Sequence, residues 1–131
     1  MLYLDASAIV TYVLKRPNVA DLTGYLRDHP DTALGTSTLG LVETVRTCDR
    51  FGDFPNLMVQ LLRDYTELRL TAEIRDQAAN LPGGLKTLDA IHVATAETLG
   101  KHMVAFITYD RRMADVAESL GFPVASPGMR R

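Results

Sequence analysis

The stretch Met103-Val104-Ala105-Phe106-Ile107-Thr108-Tyr109-Asp110 (residues 103–110) decides the fold class. Its apolar run is short and does not alternate with polar residues, as expected of a strand buried on both faces of a parallel sheet. We read a strand over 103–108 and a helix over 111–120, which Gly121 ends. Working outward, Thr87 is placed to cap a helix over 88–99, with Gly100 in the C′ position after it. At the other end of the chain a short apolar strand over 1–4 stops abruptly at Asp5, and Ser7 then caps a helix from about Ala8.

The same alternation fills the middle. A helix over 19–27 and a small strand over 32–36 come first. Ser37 or Thr38 then caps a helix over 39–50 with Leu39, Val42 and Val45 inward, and Leu41 a further candidate for that face. A helix over 56–65, a strand over 67–70 and a helix from Thr71 to about Leu81 follow, and Pro82-Gly83-Gly84 is a loop. Val124-Ala125 is a candidate edge strand. Strands alternating with helices predict an α/β fold with a largely parallel sheet. The 131 residues suit one domain, 1–131, with about 126–131 as a flexible tail.

Composition narrows the class. The chain is 47% hydrophobic and 23% charged, an ordinary globular balance. One cysteine, Cys48, excludes an internal disulfide, and no apolar run approaches the ~20 residues that span a bilayer. The N-terminus lacks a basic leader, so we expect a cytoplasmic protein. The formal charge of −2 weighs against a nucleic-acid partner only while every acid counts as surface charge.

Four acids stand apart on this map. Asp5 and Asp110 each follow an apolar strand directly, Asp89 sits in the first turn of its helix, and Glu43 lies one turn into another, among Leu39, Leu41, Val42 and Val45. In an open parallel sheet, ligands bind beyond the carboxyl ends of the strands, so these positions can aim at one crevice. Clustered carboxylates stay ionised only if something compensates them, and Mg²⁺ or Mn²⁺ is the natural compensator. Such a site suits hydrolysis of phosphodiesters, where the cation acidifies water and offsets charge on the phosphate. Each acid also has a plainer role open to it: Asp5 or Asp110 as a helix cap, Asp89 as partner of a helix dipole, Glu43 as a solvated charge.

At these positions the sequence resembles the PIN-domain ribonucleases, and among them the VapC toxins of type II toxin–antitoxin pairs. The resemblance rests on Leu4-Asp5-Ala6-Ser7-Ala8, on Ser37 to Glu43 (STLGLVE), on Leu88-Asp89-Ala90-Ile91-His92 and on Ile107-Thr108-Tyr109-Asp110, in that order across nearly the whole chain. It implies a three-layer α/β/α sandwich and a Mg²⁺- or Mn²⁺-dependent endoribonuclease. Asp5, Glu43, Asp89 and Asp110 would be its metal-binding and catalytic acids, with Asp115, a turn beyond, as the alternative last member. Thr108 would orient the last carboxylate or a water, and Ser7 would orient Asp5 or cap its helix. It further implies a VapB-type antitoxin, homodimerisation within a toxin–antitoxin complex, and an RNA substrate such as tRNA.

Other residues carry less. Arg46, Lys86, Arg111 and Arg112 flank the acidic motifs and are candidates for RNA phosphates, or solvated charges. Leu57, Met58, Leu61 and Leu62 exceed one narrow helix face and serve either the core or a partner surface. His92, three residues after Asp89, is expected to be a packed or supporting residue, since no Cys or further His completes a zinc site. His29 and His102 read as surface, and Cys48 has no redox role. The competing functions are a catalytically silent PIN-like module that binds a partner or RNA, and a DNA-directed nuclease.

Overall fold

The computed structural model describes residues 1–82 and 84–130. The element order is β1 (Leu2–Leu4), α1 (Ala6–Leu14), α2 (Val19–Arg27), β2 (Leu34–Ser37), α3 (Thr38–Cys48), α4 (Leu57–Asp64), β3 (Thr66–Leu68), α5 (Ala72–Ala79), α6 (Thr87–Glu97), β4 (Ala105–Ile107), α7 (Arg111–Ser119) and β5 (Val124–Ala125). The strands form one sheet in the order β3-β2-β1-β4-β5, every pairing parallel. Side chains alternate across β1 and thereby divide the core. Leu2 and Leu4 join Ile9, Leu22, Leu41 and Leu61 on the face covered by α1 to α4. Tyr3 joins Val93, Phe106, Met113 and Ala117 on the face covered by α6 and α7. This is the expected three-layer α/β/α sandwich.

The order of strands positions the site. From β1 the chain builds outward to β2 and β3 on one side, and β4 and β5 fill the other. The switch point lies between β1 and β4, where crevices open at the carboxyl ends of the strands. Asp5 N–H donates to Ile107 O across that seam (3.1 Å). The acids that follow the two strands therefore start as neighbours.

Several local expectations change. Asp5, not Ser7, caps α1: its Oδ1 accepts from Ala8 N–H, and the helix starts at Ala6. Ser37 caps α3 through Gly40 N–H, one of the two caps left open. Thr87 is the first residue of α6, and Lys86 occupies the cap position without a side-chain hydrogen bond. The strand expected over 103–108 is only Ala105–Ile107, because the 3-10 turn Gly100–His102 still holds Met103 N–H and leaves Val104 45% exposed at the rim. Segment 126–130 is tied to the fold: Ser126 Oγ donates to Thr108 O, Tyr109 Oη donates to Pro127 O, and Met129 N–H donates to Ser126 O. Gly83 of the expected loop, and Arg131 of the expected tail, lie outside the described residues. Among the described residues no helix is long and apolar enough to cross a membrane.

Candidate active site

Asp5 is 2% exposed and held by donors on every side. Ser7 Oγ (2.6 Å) and Ala8 N–H (3.0 Å) donate to Oδ1, and Thr108 Oγ1 donates to Oδ2. The same two hydroxyls accept from the backbone beyond β4: Tyr109 N–H donates to Ser7 Oγ (2.9 Å), and Asp110 N–H to Thr108 Oγ1 (3.0 Å). Each hydroxyl thus gives its proton to the β1 acid and takes one from the β4 exit, which locks the two strand ends together. Burial pushes the Asp5 carboxyl up, while His92 and these donors pull it back. Thr108 spends its proton on Asp5, so it does not orient the Asp110 carboxylate as the resemblance implied. It positions Asp110 through the backbone.

Asp110 has two jobs. It caps α7, with Oδ1 accepting from Arg112 and Met113 N–H. It also lines an open cleft of about 810 Å³ with Glu43, Lys86, Thr87, Leu88, Asp89, Tyr109, Arg111 and Arg112. The acids in this cleft feel one another. Burial, then Asp110 and Glu43, push the Asp89 carboxyl up, while His92 and Lys86 oppose them. Asp5 is not among the cleft-lining residues. Asp115 is exposed on α7 and does not line the cleft either. Arg46 lies on the other side of Glu43, in a shallow groove with Val42, Arg50 and Leu88.

Glu43 is gripped from below. His92, 1% exposed, sets its Nε2 2.8 Å from Glu43 Oε1. Its Nδ1 lies 2.6 Å from Tyr3 Oη and 3.5 Å from Ser37 Oγ. The sequence offers His92 as a packed or supporting residue and gives Tyr3 and Ser37 no role near the acids. The i, i+3 spacing of Asp89 and His92 was the available signal. Cys48 is buried, and burial pushes its thiol up, against any nucleophilic role.

The donor set fits a hard divalent cation. Carboxylates and hydroxyls predominate, and both nitrogens of the one histidine are engaged by Tyr3 and Glu43. Asp5 Oδ2 accepts from Thr108 Oγ1 and retains a second lone pair. Among the described residues no three His, Cys, Asp or Glu side chains already stand together as a metal centre.

Comparison with known proteins follows the same lines. The PIN domain profile matches residues 2–119. The chain belongs to the PIN-domain family. Within it, the chain is 38% identical to ribonuclease VapC46 of Mycobacterium tuberculosis, over 96% of this chain and 97% of that protein. It is 34% identical to ribonuclease VapC47 of the same species, covering both in full, and equally to ribonuclease VapC35. The solved structure of FitAB bound to IR36 DNA fragment superposes with a TM-score of 0.61 at 17% identity, over 100% of this chain and 98% of that one, which supports the fold.

Proposed function

We propose that this PIN-domain chain is a divalent-cation-dependent endoribonuclease, the toxin of a type II toxin–antitoxin pair. The observation that carries the reading is the crevice at the β1–β4 switch point, where Asp110 and Glu43 both push on the Asp89 carboxyl beside the buried, hydroxyl-bound Asp5. Full-length likeness to VapC ribonucleases supports it. Asp5, Glu43, Asp89 and Asp110 would hold Mg²⁺ or Mn²⁺, with Asp110 preferred to Asp115 because it lines the cleft. When bound, the cation acidifies water and offsets charge on the scissile phosphate.

The chain's own residues do the rest. Ser7 and Thr108 aim Asp5 and favour its ionised form against burial by donating to it. Lys86, Arg111 and Arg112 surround the cleft and would take backbone phosphates on either side of the cut, with Arg46 further along. A VapB-type antitoxin is the partner this reading implies. Leu57 and Leu61 are in the core, and Leu62 and Val59 remain exposed on α4 for such a contact. A homodimer, a cytoplasmic location and a structured RNA target such as tRNA belong to the same proposal.

The test is cleavage of total cellular RNA by the purified, partner-free chain, in Mg²⁺ or Mn²⁺ against EDTA, beside Asp5→Asn. The expected result is cation-dependent cutting that the variant lacks. Asp5→Asn retaining full cleavage would falsify the assignment. No cleavage of any RNA with either cation would favour a silent binding module.

A further inference from the structure

We propose that His92 is the positioning residue that fixes the Glu43 carboxylate for the cation, and that Tyr3 sets the imidazole proton that does so. The inference rests on the nuclease reading above but concerns residues that reading leaves without a role.

The argument is one of proton inventory. An ionised carboxylate only accepts, so the 2.8 Å contact between Glu43 Oε1 and His92 requires a hydrogen on Nε2. The imidazolium and one neutral tautomer both carry that hydrogen, and in the neutral tautomer Nδ1 is an acceptor. Tyr3 Oη, 2.6 Å from Nδ1, supplies the one proton a phenol can give. In the neutral ring Tyr3, fully buried on β1, thereby selects the tautomer that keeps His92 a donor toward α3. Ring packing holds the pair. Tyr3 stacks on Phe106 with centroids 5.2 Å apart and meets the His92 ring edge-on.

The fold makes room for this imidazole. A Cβ on Gly40, one turn before Glu43 on α3, would stand 3.0 Å from His92 Cε1 and overlap Thr36 Oγ1. The absence of a side chain there lets α3 and α6 approach closely enough for the bond to form. Glu43 is about a third exposed and His92 is buried, so the ring is the rigid member and the carboxylate the one held. A carboxylate fixed before the cation arrives loses less side-chain entropy on binding.

The first readout needs no catalysis. Mn²⁺ affinity is measured by calorimetry on the folded chain for His92→Phe, His92→Gln, Glu43→Gln and the double variant Glu43→Gln/His92→Phe. His92→Phe should weaken Mn²⁺ binding about 10- to 100-fold, the range for losing a group that supports a ligand. His92→Gln, which keeps an N–H donor, should recover part of it. In the Glu43→Gln background His92→Phe should have no further effect, whereas a merely structural role would weaken binding in both backgrounds. In the cation-free protein, ¹⁵N–¹H correlation of the imidazoles should show His92 protonated on Nε2, which remains measurable if His92→Phe does not fold. Wild-type affinity in His92→Phe, equal losses in both backgrounds, or a proton on Nδ1 alone would overturn the proposal. If Glu43→Gln itself binds Mn²⁺ like the wild type, the four-acid site fails instead, and the two failures are told apart.

Discussion

At the scale of single residues, the cost of burying Asp5 is offset by the His92 imidazole and by hydroxyls that donate to the carboxyl. Thr108 is the pivot, since its oxygen donates to Asp5 and accepts from Asp110 N–H. Thr108→Val should therefore strand a buried carboxylate and a backbone donor together, lowering urea stability at neutral pH by about 1.5–3 kcal/mol. Thr108→Ser should lose much less, and equal stability of the valine variant would show that the hydroxyl carries nothing. Asp89 presents the opposite case. Its carboxyl is raised by burial and by Asp110 and Glu43, so the native cation-free chain binds a proton more tightly than the unfolded chain. Its contribution to stability is complete below the unfolded value of ~3.9 and is lost as pH rises through the raised native value. Asp89→Asn should accordingly stabilise the cation-free protein near pH 7, by about 0.5–1 kcal/mol after allowance for solvent screening. That gain should vanish as pH falls through the carboxylate range. A variant less stable than wild type at pH 7 would contradict the repulsion. These acids were legible as residues because each follows an apolar run or interrupts one. Their partners were not, because Tyr3, Ser37 and His92 look like ordinary core and cap residues in a linear reading.

At the scale of elements, pattern and structure agree where large apolar side chains mark the buried face. The spacing of Leu22 and Leu26 sets α2, which runs over the 19–27 expected. On α3 the same logic misleads. Of Leu39, Val42, Val45 and Leu41, expected inward, Leu41 is buried and Val45 packs against the core, yet Val42 is 41% exposed and Gly40, Thr44 and Cys48 complete the buried face. Small residues bring the α3 backbone against α1 and α6. Thr44 tolerates burial because its hydroxyl donates to Gly40 O within the helix (2.7 Å). A search for large hydrophobics cannot see a face whose purpose is close approach. Two glycines separate the cases. A Cβ on Gly24, within α2, meets nothing within 4 Å, so Gly24→Ala should raise stability by roughly 0.5–1 kcal/mol through helix propensity. Gly40→Ala gains the same propensity but collides with Thr36 and His92, and should be net destabilising by about 1–2 kcal/mol. Thermal melts of both variants decide it, and similar shifts from both would remove the argument for close approach.

At the scale of the molecule, the alternation of strand and helix was enough to give a parallel sheet with a crevice at its carboxyl edge. The strand order β3-β2-β1-β4-β5 was not legible, because pairing between segments a hundred residues apart leaves no local mark. That order makes the strand ends of Asp5 and Asp110 neighbours and sets Asp110 in the cleft with Glu43, where both raise the Asp89 carboxyl. A site where neighbouring acids push on the Asp89 carboxyl ties the whole fold to cation concentration. Without cation, the raised carboxyls of Asp5 and Asp89 make stability fall as pH climbs through their native values. With cation, those carboxyls must be deprotonated to bind, so the bound state gains as pH climbs through the same range. Saturating Mn²⁺, at about 100 times its dissociation constant, should add about 2.7 kcal/mol and raise the melting temperature by on the order of 10 °C near pH 7. EDTA should reverse the shift, lowering the pH toward 4 should shrink it, and Asp89→Asn should reduce it. Identical melting curves in Mn²⁺ and EDTA at neutral pH would mean that the acids repel for some reason other than holding a cation.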